Sequence, residues 1–128
     1  MPNRAVDPTG IAPPAAAYVH GVVSDGPARL LHTSGVVPTA PDGTVASDVG
    51  AQADEIWRTI SALLTDADMA TTDIVSVTTY VVPGQDLGLV MAARDAVLGG
   101  HLAASTLVIV AALARPEWLM EVAIVAAR

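Results

Sequence analysis

Glu121 is the only ionisable side chain in the apolar run Leu119-Met120-Glu121-Val122-Ala123-Ile124-Val125-Ala126-Ala127, and that isolation calls for a chemical reason. The run is short and rich in Val and Ile, the pattern of a strand covered on both faces, which puts Glu121 level with Leu119 and Ala123. An unpaired carboxylate away from water costs roughly several kcal/mol. Four outcomes follow: a donor within reach, a wet cavity or subunit boundary, a retained proton, or an edge strand facing solvent. Where partial burial lifts its pKa toward neutrality, such a group serves as a general acid or base.

Other proton-handling groups are sparse. His20 and His32 fall on the first two β-type runs near the small-residue turn Ser34-Gly35, and His20 is a candidate proton carrier because imidazole titrates near neutrality. Tyr18 adds a phenol. The three histidines, including His101, lack ligand spacing, and the Asp66, Asp68, Asp73 trio lacks the glycine and closing glutamate of a calcium loop, so no metal site is expected. No nucleotide cradle, nucleophile elbow or metalloprotease motif is present, and no cofactor is expected.

Composition narrows the partners. The 128 residues suffice for one domain, and the hydrophobic fraction of 52% exceeds what one small core hides, so subunit contacts should take the excess. A formal charge of −7, with all six basic residues arginine and none clustered, argues against nucleic acid and anionic membrane. A small-molecule ligand fits better. Absence of cysteine excludes disulfides and thiolate chemistry, and no segment reads as a signal peptide or membrane span. A cytoplasmic address is the expectation.

The elements that must position these groups follow from periodicity. Residues 1–14, with Pro2, Pro8, Pro13 and Pro14, read as an extended lead-in to a single domain over 15–128. Tyr18 to Val23 and Ala28 to Thr33 read as a hairpin across Ser24-Asp25-Gly26-Pro27. Ser47 or Asp48 caps a helix whose apolar stripe runs from Val49 to Ala67, with a left-handed end at Asp68. Then come a strand at Ile74–Val82, a helix at about Asp86–Leu98, and strands Ser105–Leu113 and Leu119–Ala127 joined by the turn Ala114-Arg115-Pro116-Glu117. The expected class is α+β, a mixed sheet with two helices on one face, the other face awaiting a cover from identical neighbours.

Taken together, residues 11–128 resemble the RidA family, also called YjgF or L-PSP-like proteins. The resemblance is carried by Ala17-Tyr18-Val19-His20, by His32-Thr33-Ser34-Gly35-Val36-Val37-Pro38 with Asp42-Gly43, and by Gln52. It extends through Ile74 to Val82, Leu113-Ala114-Arg115-Pro116 and Leu119-Met120-Glu121-Val122. It implies a chorismate-mutase-like fold, a homotrimer with interfacial clefts, and cofactor-free hydrolysis of enamines and imines, with Glu121 orienting or activating water. It further implies a ligand site at Tyr18, Ser34, Gly35, Met91, Ala104 and Ser105. In such a cleft, backbone N–H groups around Gly35 or Ser105 are expected to hold an oxygen of the ligand.

Three positions depart from the family pattern. Ala104 stands where typical members place a carboxylate-clamping arginine, Val19 replaces a serine, and Met91 occupies a position that is often asparagine. Each change makes the cleft more apolar and suggests a bulkier or uncharged ligand. The leading expectation is a divergent, pathway-specific hydrolysis, tautomerisation or cyclisation of an imine or enamine. One alternative is a conventional 2-imino acid deaminase recruiting Arg29, Arg94 or Arg115; another is a non-catalytic ligand-binding or interaction trimer.

Overall fold

A computed structural model of the chain describes residues 2–128. Two sheets and two long helices form in the order β1 (Asn3–Val6), β2 (Gly21–Ser24), β3 (Leu30–His32), α1 (Val49–Asp66), β4 (Ile74–Val81), α2 (Leu87–Leu98), β5 (Ala104–Ile109) and β6 (Met120–Ala127). The main sheet runs β3-β6-β4-β5, with β4 and β5 parallel and the other pairs antiparallel. The α+β expectation, a mixed sheet with two helices packed on it, is what the chain adopts.

Helix α1 shows how local residues set the frame. Asp48 caps it by accepting the Ala51 N–H at 2.9 Å, and Asp68 takes the left-handed conformation just beyond its end, with φ 56°. Its buried stripe includes Ile56, Trp57, Ile60 and Leu64. These meet Val77 and Val81 of β4, Val122 and Ile124 of β6, and Val90 and Ala93 of α2 in one core. Both helices therefore cover the same sheet face. Alternation sends the other residues of the central strands, including Glu121, to the helix-free face.

Gln52 is the polar exception inside α1. It is 0% exposed, its amide donates to the carbonyls of Ala46 (2.7 Å) and Glu117 (2.9 Å), and its oxygen accepts the Leu119 N–H (2.8 Å). One side chain thus ties the α1 entry to the start of β6. Gln52→Ala strands these buried groups together, so urea denaturation should show about 3 kcal/mol of lost stability.

Three local expectations are corrected. The segments Tyr18–Val23 and Ala28–Thr33 do not pair with each other: β2 pairs with β1, while β3 pairs with β6. The break falls at Asp25 and Arg29, whose N–H groups turn instead to the carbonyls of Pro2 and Arg128. The stretch at 3–6 is consequently the first strand of a ribbon rather than a bare lead-in. At the other end, β5 stops at Ile109, short of Leu113, and makes no hairpin with β6, because β4 lies between them.

Candidate functional site

Glu121 sits near the start of β6, half-buried on the helix-free face. Val36 and Val122 exchange backbone hydrogen bonds of 2.7 and 3.1 Å, which lays the Ser34-Gly35 segment alongside β6. The Glu121 carboxyl then rests directly over Gly35. A Cβ added at Gly35 would overlap the carboxylate oxygen Oε2 and lie 2.7 Å from Cδ, so only glycine leaves room for this placement. Among the described residues the Glu121 carboxylate has no intrachain hydrogen bond or ion pair.

Tyr80 of β4 lies directly across from Glu121 in the register, on the same face. Sequence reading passed over this phenol, since it was one of many residues in a β-branched strand. The only signal was parity, and parity becomes useful once the partner register is known.

A second group gathers at the start of β5. The Val19 N–H donates to the Ala103 carbonyl at 3.1 Å, and Val19 bridges Ala104, bringing Tyr18 and His20 to the neighbourhood of Ala104. Asp7 Oδ1 accepts the backbone N–H of His20 at 2.8 Å and its ring Nδ1 at 2.9 Å. The backbone contact first, and then the imidazole, hold the Asp7 carboxyl below its ordinary range. An ionised carboxylate only accepts, so Nδ1 carries the proton and Nε2 is an acceptor. The Tyr18 ring meets the His20 ring edge-on at 6.0 Å, and its hydroxyl accepts the Ala15 N–H at 3.1 Å.

Other candidates stand apart. Ser105 pairs with Val77, which puts its side chain on the helix-covered face, where the Arg94 Nη1 donates to its hydroxyl at 3.4 Å. Its hydroxyl is therefore on the opposite side of the sheet from Glu121. Met91 is half-buried on α2, in the helical layer. His32 is exposed on β3, and His101 uses Nε2 to reach the Ile74 carbonyl at 2.7 Å. Asp73 accepts the Ala70 N–H at 2.8 Å, and Asp68 faces Arg29 at 3.6 Å, so these acids serve the fold.

Register also separates the two groups. Glu121 is level with Tyr80, whereas Ala104 is level with Ser76, four residues along β4 and two strands over. That is about 13 Å along the strands and about 9.6 Å across them, roughly 16 Å in all. One small molecule does not span this within a single chain. The helix-free face exposes apolar side chains, among them Leu30 at 58% and Val108 at 39%.

Comparison with known proteins adds an independent line. A family model described as endoribonuclease L-PSP matches residues 9–128. The Rid-family protein YyfB from Yersinia pestis is similar over 100% of both chains, with 28% identity and a TM-score of 0.89. The YjgF gene product of E. coli is 32% identical over 91% of this chain and 93% of its own, with a TM-score of 0.72. Rv2704 from Mycobacterium tuberculosis, of the YjgF/YER057c/UK114 family, is 25% identical over 89% of each chain, with a TM-score of 0.66.

Proposed function

The chain belongs to the endoribonuclease L-PSP family, among its RidA-like members, and from that premise we propose that it processes a reactive imine or enamine in a cleft between identical subunits. The observation that carries this reading is Glu121, an unpaired carboxylate held over Gly35 on the helix-free face. A homotrimer accounts for the rest. A second copy packed on the apolar face brings its Tyr18 and Ala104 region to the Glu121 region of the first, closing the gap of roughly 16 Å.

In the hydrolytic form, water attacks the imine carbon and gives a proton to Glu121. The carbon–oxygen bond forms as the carbon–nitrogen double bond becomes single. Glu121 returns that proton to nitrogen; the new hydroxyl then gives up its own proton to nitrogen as its oxygen forms the carbonyl double bond and the carbon–nitrogen bond breaks, and a carbonyl compound and ammonia leave. Only water is consumed, so the step needs no cofactor. His20, whose Nε2 is an acceptor, is positioned by Asp7 to take the hydroxyl proton and pass it to the departing nitrogen when the subunits meet as proposed. Tautomerisation or cyclisation would use the same proton transfers without water.

The arginines weighed for a conventional deaminase are otherwise engaged. Arg29 faces Asp68, Arg115 stacks on Trp118 at 5.5 Å, and Arg94 is buried beside Asp95 and Ser105. A ribonuclease role is less favoured by a chain of net charge −7 without lysine. Among the described residues no helix is long and apolar enough to cross a membrane, and a cytoplasmic site of action belongs to the proposal.

Two measurements test it. Sedimentation equilibrium should give three times the chain mass of 13.0 kDa. Ammonia release from freshly generated imines of varied side chain should exceed the spontaneous rate for at least one of them. Binding without turnover would favour a non-catalytic trimer, and a monomer would overturn the shared cleft.

A further inference from the structure

Around Glu121 the helix-free face is uncharged. Register places Thr78, Tyr80, Thr106, Val108 and Ala123 on that face beside it, and none of them carries a fixed charge. His32, opposite Val125, is four residues farther along β6. The arginines lie elsewhere. Arg29 and Arg128 pair at the far end of β3 and β6, seven residues from Glu121 along the strand, or about 23 Å. Arg58 faces Glu55 on α1, Arg94 is 6% exposed in the helical layer beside Asp95, and Arg4 is exposed on β1, opposite Val23 in the ribbon. Arg115, in the loop before β6, lies over the Trp118 ring.

The half of the cleft expected from a neighbouring copy adds a second carboxylate and no arginine. Asp7, held below its ordinary range first by the His20 backbone N–H and then by the imidazole, is ionised and takes the Nδ1 proton, which leaves Nε2 as an acceptor. Ala104 brings only a methyl group. Two carboxylates and no guanidinium give the cleft one sign of charge, and apolar walls concentrate the field of such a cleft on whatever enters it. An anionic ligand would meet like charge there. A cation would meet acceptors.

We propose that the site selects the protonated imine of a small aldehyde or ketone that carries no carboxylate. The group C=NH₂⁺ offers only donors, which suits the Glu121 carboxylate and the His20 Nε2, and a neighbouring negative charge favours the protonated form. That form has the more electrophilic carbon. It takes up one water and yields a carbonyl compound and ammonium, so the charge that enters on nitrogen leaves on nitrogen and no further reagent is consumed. The inference rests on the proposed function for the chemistry at Glu121 and deepens it by fixing the charge class of the substrate.

The probes are three planar isosteres that differ in charge: propionamidinium, propionamide and propionate, titrated into the full chain by calorimetry. The amidinium should bind at least tenfold more tightly than the amide, with propionate weakest. Glu121→Gln should bring the amidinium down to the level of the amide, whereas Asp54→Asn, at an exposed carboxylate of α1, should leave the ranking as it is. Equal binding of the amidinium and the amide would overturn the proposal, as would an amidinium preference that survives Glu121→Gln. Propionate bound most tightly and released by Arg115→Gln would also overturn it, and would hand the selection to an arginine. A kinetic arm separates this inference from the reaction itself. Ammonia should be released faster from propan-2-imine than from 2-iminopropanoate, each freshly generated; the reverse order would sink the charge selection and leave imine hydrolysis standing, while Glu121-dependent amidinium binding without turnover of either imine would support the selection and count against the hydrolysis alone.

Discussion

Glu121→Gln lowers turnover of any imine substrate by about 10²- to 10⁴-fold, the span that one positioned general acid or base contributes. The substitution keeps the shape of the side chain and removes its capacity to take a proton. It should cost the fold little, because Glu121 is half-buried and, among the described residues, makes no intrachain hydrogen bond that an amide would break. Mass by sedimentation and the midpoint of urea denaturation should therefore match those of the unaltered protein. Single-turnover kinetics then separate the two functions of the cleft: binding persists and the chemical step slows. Equal rates in both proteins would remove Glu121 from the mechanism, whatever the assembly.

Helix α1 was legible because its information is local: a cap at Asp48, a stripe of apolar residues and a left-handed stop at Asp68 all lie within one stretch. Strand partners were not. Val22 and Leu31 look equally suited to a hairpin, and which strand each joins is decided by residues far along the chain, Ala5 for one and Ala126 for the other. The same non-local choice hid the strand character of Asn3–Val6, whose flanking prolines speak against a strand until β2 lies beside it. It also set Ser105 on the helix-covered face while Glu121 took the other, a division that counting by twos from each strand separately does not reveal. Glu121 itself stood out at once, since a lone carboxylate in an apolar strand carries its anomaly with it.

Gly35→Ala gives the sharpest separation of placement from stability. The methyl group would fall on the Glu121 carboxyl, and the clash is with the far end of a flexible side chain rather than with backbone. Gly35 is not among the glycines with positive φ, so alanine meets no backbone penalty there. The carboxyl group swings aside at a cost of about 1 kcal/mol or less, well below the roughly 1–3 kcal/mol of an overpacked core. Its catalytic position is nevertheless lost. Turnover should fall by about 10²-fold, the order expected when a reacting group is displaced by an ångström or so, while the denaturation midpoint barely moves. The double-mutant cycle carries the test: in a Glu121→Gln background the glycine substitution should add almost nothing to the loss of activity, because both changes disable the same carboxylate. Additive losses would mean that Gly35 acts through its own backbone, offering its N–H to the ligand, and that its smallness serves something other than Glu121.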